Sequence, residues 1–588
     1  YYQYGETERS QLVNDNKHSD ANAFAIDAVF DNRDAALPIN ARRIECRVTQ
    51  NIRNNAPGAP AVGTNQYNRA QGCVPISPFG IGTLDTAARA YSFGYLLETL
   101  TYEQHVFAVN ATGDLWEGFG AGTVKGAVGA EYRMEKGENI GSQSDAQGNP
   151  VPDYVRTDYL IQYGESFAGD VDVMEAYGEV NLPLLKDVTL ARRLELDLAA
   201  RYSRYENQGG YGTTGENRTH DMVTWKASAI WDPVEWLRVR GSQSRDSRAA
   251  NFRELYYGQK ISAGGLFGFC TPATAPPGSP RDACNWSLEG NVDLEPEKAD
   301  TTTFGLVFQP RDWLPGFEFA VDYFRIKISD GIQQANIGRV QNGCQISHII
   351  EYCNLITPDP GGGTPTGPLP TPGTGGYFNY NPLTGAGIQD IRALAFNGSG
   401  YNYRGIDFSA NYLLDMGDAG SMNFRMLATH MLEQSVQLVP GQPLVDVVGQ
   451  TGTANSFLTD YQPSAEWLGN LSATYLKGPF STTLNMRYVS DGVRDYLGVT
   501  PQDSNFTTAP ANYVRYDRND TPSYVVFGLN ASYRFENVGF VDGIELWGNI
   551  SNLFDKDPPL VGGGTGGTNP VFYDAIGRYF RVGVRAQF

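Results

Sequence analysis

Apolar and polar residues alternate with a period of two along most of the chain. Leu194, Leu196, Leu198, Ala200 and Tyr202 interleave with Glu195, Asp197, Ala199, Arg201 and Ser203, which gives an extended segment one apolar and one polar face. The pattern returns with Val223, Trp225, Ala227, Ala229 and Trp231 against Thr224, Lys226 and Ser228, and with Leu471, Ala473 and Tyr475 against Asn470, Ser472 and Thr474. Near the end, Phe527, Leu529, Ala531, Tyr533 and Phe535 alternate with Gly528, Asn530, Ser532 and Arg534. These segments run about 10 to 14 residues, against about 5 to 6 for a soluble strand, and are long enough to cross a bilayer at a tilt. Counted along the chain, they predict about sixteen strands. One loses phase: Phe317, Phe319, Val321 and Tyr323 share a face, but Phe324, Ile326 and Ile328 fall on the other. Either a bulge sits there, or the strand has left the membrane and no longer needs a lipid face.

The connections also alternate. Short ones near Glu117 to Ala121, Asp232 to Val234, Pro310 to Pro315 and Met416 to Gly420 separate long ones at roughly 10–99, 249–299 and 329–398. Two unlike rims are the mark of a transmembrane up-and-down antiparallel β-barrel, with short periplasmic turns and long external loops. Trp231, Trp236, Trp313 and Trp467 lie near strand ends, as interfacial girdles require, although buried core positions would also suit them.

Composition narrows the picture. No unbroken apolar stretch of about 18 residues occurs, so a membrane can be crossed only by strands. The net charge of −20 lacks the clustered Lys and Arg that nucleic acid requires, and it reads as a solvated acidic surface or as loops recruiting cations. Six cysteines form three local pairs, Cys46 with Cys73, Cys270 with Cys284 and Cys344 with Cys353, all inside the long connections. Disulfides stapling external loops in an oxidising compartment are the expectation; a zinc site would show Cys-x-x-Cys knuckles, which are absent. Tyr1 is not preceded by an initiator Met or a signal peptide, so the true N-terminus is expected elsewhere.

The final strand places Phe580, Val582, Val584, Ala586 and Phe588 on one face and ends on an aromatic residue. This resembles the terminal strand of outer-membrane proteins, which implies recognition by the barrel-assembly machinery. Longer motifs resemble the TonB-dependent transporter family. They begin with Arg238-Val239-Arg240-Gly241-Ser242-Gln243-Ser244-Arg245-Asp246-Ser247-Arg248-Ala249-Ala250-Asn251-Phe252-Arg253-Glu254-Leu255-Tyr256, similar to a mid-barrel strand entering an external loop. Leu294-Glu295-Pro296-Glu297-Lys298-Ala299-Asp300 and Val321-Asp322-Tyr323-Phe324-Arg325-Ile326 follow in order, and Asn549-Ile550-Ser551-Asn552-Leu553-Phe554-Asp555-Lys556 is similar to the family's penultimate-strand signature.

The resemblance implies that residues 1–588 are one receptor-like barrel domain of the Gram-negative outer membrane. The family carries a coupling box and a plug ahead of a barrel of about 22 strands. Neither is found here, so the sequence is expected to begin about six strands into the barrel. The implied function is energy-driven import of a scarce solute such as a siderophore, a cobalamin-like molecule or an oligosaccharide. The implied partners are outer-membrane lipid, the barrel-assembly machinery and a TonB-type coupling protein acting through the absent N-terminal part. A passive porin is the alternative, and a surface enzyme or adhesin a third reading.

No chemistry of an enzyme converges. His18, His105, His220, His348 and His430 lack metal-site spacing, no Gly-x-Ser-x-Gly elbow is present, and Gly361 to Gly376 and Gly562 to Gly567 lack the ending of a phosphate loop. No cofactor or metal is expected. Asp170 and Asp172 could suggest calcium, but residues two apart on a strand share a face, and lumen lining accounts for them without a ligand. The candidates for solute contact are Arg245, Arg248 and Arg253 beside Tyr256 and Tyr257, for which a structural salt-bridge network is the competing role.

Overall fold

The structure, a computed structural model, describes residues 1–77, 79, 84–145, 149–150, 159–161, 166–211, 216–263, 284–335, 340, 352, 355–357, 390–437, 443–452, 463–496, 498–508, 514–539, 541–561 and 567–587. Within them the alternating segments become sixteen long strands. These are β1 (Tyr2–Lys17), β2 (Phe93–Glu117), β3 (Thr123–Asp145), β4 (Phe167–Val188), β5 (Ala191–Tyr211), β6 (Glu216–Val234), β7 (Leu237–Arg248) and β8 (Glu297–Phe308). They continue as β9 (Phe317–Gln334), β10 (Asp390–Asp415), β11 (Ser421–Val436), β12 (Trp467–Lys477), β13 (Phe480–Val489), β14 (Tyr524–Val538), β15 (Val541–Ser551) and β16 (Tyr579–Gln587). Each pairs antiparallel with the next along the chain. The wall is therefore an up-and-down meander, and four short strands at its long-loop rim bring the sheet to 20. Among the described residues no helix is long and apolar enough to cross a membrane; the strands are the spanning elements.

Direct cross-strand partners share a face, so the register identifies the two sides of the wall. Tyr202 opposes Val223, Leu198 opposes Ala227 and Leu194 opposes Trp231. Trp231 leads on through Val239, Leu306, Val321 and Phe408. This side exposes its apolar groups, with Val223 59% and Val582 86% accessible, as a lipid-facing surface does. On the opposite side charges meet in pairs: Arg240 forks onto Asp322 at 2.8 and 2.6 Å, and Arg201 donates to Glu175 at 2.9 Å. That side is the lumen.

Trp236 and Trp313 lie at the short-turn rim with Trp231, whose indole N–H donates to the Leu190 carbonyl at 2.8 Å, and Trp467 stacks on His430 at the long-loop end of β12. In β9 the register with β8 is unbroken from Phe319 to Ser329, and the irregularity against β10 comes only after Ile328. No bulge reverses the faces at Phe324. Phe324 and Ile326 point into the lumen, and the outward positions beyond Tyr323 are Arg325 and Lys327. Asp170 and Asp172 require a correction: they share a face with Met174, which is half exposed on the lipid side. They sit outside the wall near its external end, where Asp172 accepts from the Tyr132 hydroxyl at 3.3 Å. On β16, Phe580, Val582, Val584 and Ala586 occupy the outward face, and Phe588 lies outside the described residues.

Between β1 and β2 the chain builds a small external unit from α1 (Ser19–Ile26), α2 (Arg47–Asn54), α3 (Asn65–Gln71) and α4 (Thr86–Ser92). Its helices are too short to be stable alone, and they share two small apolar clusters, one of Ala25, Ile76 and Ala88 and one of Cys46, Val48 and Ala70. A disulfide between Cys46 and Cys73 closes 27 residues, which chain-entropy estimates make worth about 3–4 kcal/mol. Cys270, Cys344, Cys353 and the Cys284 side chain lie outside the described residues, as do His348 and Gly361 to Gly376. Asp31, buried among Arg33, Arg43 and Arg53, ties the unit together, and its hydrogen bonds from Arg33 hold the carboxyl below the usual range.

His18 caps α1, its Nδ1 accepting from the Ala21 N–H at 3.2 Å. Burial, with Arg69 adding repulsion, lowers the imidazole to about 3. Only the unfolded unit then takes up the proton, so stability is intact above pH 6.5 and is lost as pH falls toward 3, by up to about 1.4 kcal/mol per unit. Hydrogen exchange in α1, corrected for intrinsic rate, should accelerate across that window. In His18→Asn, which keeps a capping acceptor but does not titrate, the acceleration should disappear; its persistence would assign the acid sensitivity elsewhere.

Candidate solute-binding site

The loop after β7 folds back into the lumen mouth as α5 (Phe252–Tyr256), closed by a reciprocal cap in which Asn251 accepts from the Glu254 N–H and Glu254 from the Asn251 N–H. Tyr256 is fully buried against Phe167, Val171 and Val173 of β4, and its hydroxyl donates to the Asp170 carbonyl at 3.1 Å. Glycine is needed beneath it, since a Cβ at Gly169 would lie 2.5 Å from the tyrosine ring.

Of the five residues singled out from sequence, Arg245 leaves β7 on the outer face opposite Trp225 and is forked onto Asp300 at 2.8 and 2.9 Å. Arg248, three residues on, leaves on the other face and is divided between Glu297 and Glu254. Tyr256 is committed to packing. Arg253 and Tyr257 stand together, the guanidinium 4.4 Å from the centroid of the half-buried ring. Burial pushes the Tyr257 phenol up, against the pull of Arg253. The structure thus splits the set into an outer ion pair, a mouth lock and one stacked pair.

A second constellation lies across the wall. On the lumen face of β11 to β15, Arg425, Ser472, Asn485, Arg487 and Asn549 line a cavity of about 500 Å³, with Asp574 from the loop before β16. Above it the long loops are drawn together: Val489 and Tyr524 pack with Ala465, Val561, Phe572 and Tyr573. Asn569 donates to the Thr451 and Gly452 carbonyls, both at 3.1 Å, locking two loops to each other. Arg487 donates to the Val571 carbonyl at 3.2 Å. Arg425 opposes Ser472, is exposed to the cavity, and has neither ion pair nor hydrogen bond among the described residues.

Two guanidiniums against the one carboxylate of Asp574, beside hydroxyl and carboxamide groups, leave the lining net positive and suited to an anionic, oxygen-rich ligand. Among the described residues no three His, Cys, Asp or Glu side chains gather as a metal site. Sequence reasoning missed this cavity because Arg425 and Arg487 are single polar positions on alternating strands, 62 residues apart (487 − 425), with no motif around them. Only the pairing of β11 through β13 brings them to one surface.

A family model described as TonB dependent receptor-like, beta-barrel, matches residues 2–553. No curated protein matches the chain. Among solved structures, the chain is similar to the ferric citrate transporter FecA in the unliganded form, at 12% identity, with 79% of this chain and 51% of that one covered and a TM-score of 0.44. It is also similar to the ferric-catecholate import receptor Fiu from K12 E. coli, at 14% identity, 81% and 54% coverage and a TM-score of 0.41. A third is the FrpB iron transporter from Neisseria meningitidis, at 14% identity, 84% and 59% coverage and a TM-score of 0.43. The chain spans 51% to 59% of the length of these structures.

Proposed function

This chain belongs to the TonB-dependent receptor-like β-barrel family, and from that premise we propose that it captures a scarce solute at the outer membrane and passes it to the periplasm. Import draws on an inner-membrane TonB-type coupling protein, and the chain reaches the membrane through the barrel-assembly machinery. Its work is transport and not catalysis. The observation that carries the reading to a solute class is the lumen cavity, where Arg425 faces inward without a carboxylate partner beside Arg487. An exposed guanidinium with no ion pair among the described residues can fork onto a ligand carboxylate through charge-assisted hydrogen bonds. The favoured cargo is therefore an anionic, oxygen-rich chelate such as a carboxylate siderophore, ahead of a neutral oligosaccharide or a cobalamin-like molecule.

Energy dependence separates this from a passive porin. Cells carrying the gene should accumulate a labelled ferric carboxylate chelate against its gradient, and an uncoupler should abolish accumulation. Entry that persists with the proton-motive force dissipated, and that stops at equilibrium, would establish a passive pore instead.

A further inference from the structure

Beyond Tyr323 the outward face of β9 changes from apolar to basic, and the change is shared by the neighbouring strand. Arg325 lies directly opposite Arg404 of β10, and both are exposed on the outer side of the wall. Like charges in direct cross-strand register destabilise a sheet, and oppositely charged neighbours normally relieve them. Here relief is incomplete. The other partner of Arg325 is Thr302, and Arg325 has no ion pair among the described residues. Arg404 reaches Glu433 only at 3.5 Å, and that carboxylate also accepts from Ser435 at 2.9 Å and Asn402 at 3.4 Å. Lys327, the next outward residue, adds a third cation facing Asp300, which Arg245 already occupies with both of its oxygens.

The rung immediately toward the short turns is Phe304, Tyr323 and Ile406, with Phe304 51% exposed. A pair of guanidiniums thus stands one step outside an exposed apolar band. The arrangement is complementary to a molecule with a phosphate head and acyl tails: two planar forks bind the phosphate oxygens while the tails lie along Phe304 and Leu306.

We propose that Arg325 and Arg404 form a binding site for the phosphate of an anionic membrane lipid on the outer surface of the barrel. The proposal rests on the reading that these strands cross an outer membrane. Occupancy neutralises the opposed arginines and fixes the height of β9 and β10 in the bilayer.

The test uses the full 588-residue chain refolded into phosphatidylcholine vesicles, scored first for insertion by protection of the strands from protease, then solubilised for native mass spectrometry with added lipid. Phosphatidic acid should be retained, diacylglycerol should not, and inorganic phosphate should compete only at concentrations at least a hundredfold higher. Arg325→Gln combined with Arg404→Gln should weaken retention of phosphatidic acid at least tenfold. Arg325→Lys with Arg404→Lys should keep part of it, and Lys136→Gln, on the same face of β3, should change nothing. Equal retention by the double glutamine variant, or equal competition by inorganic phosphate, would overturn the lipid site while leaving the transport reading intact. A chain that gains no protease protection in vesicles would overturn the membrane reading, and the lipid site with it.

Discussion

Tyr256→Ala is expected to release α5 from the lumen wall at a cost of about 3–5 kcal/mol, the range for deleting a buried aromatic ring. The tyrosine is fully enclosed and spans the contact between the loop after β7 and the inner face of β4. Its removal leaves a hole over Gly169 that neither the glycine nor a five-residue helix can fill. It also strands the Asp170 carbonyl, whose hydroxyl partner disappears. Because β3 to β5 remain laddered without it, the loss should be local: limited proteolysis should cut near residue 257 while the strand core still resists. Tyr256→Phe keeps the ring and should cost only about 1 kcal/mol. If Tyr256→Ala resisted proteolysis like the parent, α5 would not be the element that holds this loop inside the mouth.

The second large effect concerns the cavity. Arg425→Gln should weaken binding of an anionic chelate by about tenfold to a hundredfold, since a charge-assisted hydrogen bond contributes about 1.5–3 kcal/mol. No hydrogen bond or ion pair within the described residues is lost, so thermal stability should hold. Arg487→Gln should combine weaker binding with a looser roof, because the same guanidinium anchors the Val571 carbonyl. Titration calorimetry on the two variants separates the roles: affinity falls in both, and melting temperature falls only for Arg487→Gln. Unchanged affinity in Arg425→Gln would move solute capture away from this cavity, toward the stacked pair of Arg253 and Tyr257 or the loops.

How much of this was legible in the residues differs between wall and site. Strand count and the two kinds of connection follow from period-two alternation, because a strand in lipid must keep one face apolar over its full crossing. Strand length does not: the strands run from 9 to 26 residues, many beyond the about 10 to 14 that alternation marks, since backbone pairing continues past the lipid where no apolar face is needed. The same rule assigned the outward faces of β5, β6, β12 and β14 correctly. It misplaced Asp170 and Asp172. Alternation says that two residues share a face, but which side that face takes depends on phase against Met174 and Val173, and the apolar run had already ended there. It left Phe324 open for the same reason: once a strand passes the lipid, hydrophobic pattern no longer reports the side. The unbroken pairing of β8 with β9 decides it.

The candidate contacts fared differently for a geometric reason. Arg245, Arg248 and Arg253 look like one basic cluster because they are close in sequence, yet an odd spacing on a strand sends side chains to opposite faces, and a helix turn then reorients the third. Their carboxylate partners, Asp300, Glu297 and Glu254, were visible as letters but not as neighbours. Conversely, Arg425 with Arg487 and Arg325 with Arg404 become pairs only through register across strands many residues apart. By itself the sequence determined an antiparallel transmembrane wall of about sixteen strands with unlike rims, since local periodicity encodes burial on one face. Tertiary structure alone decided which charges are neutralised inside the wall and which stay open to a ligand, because that depends on long-range pairing that no local pattern records.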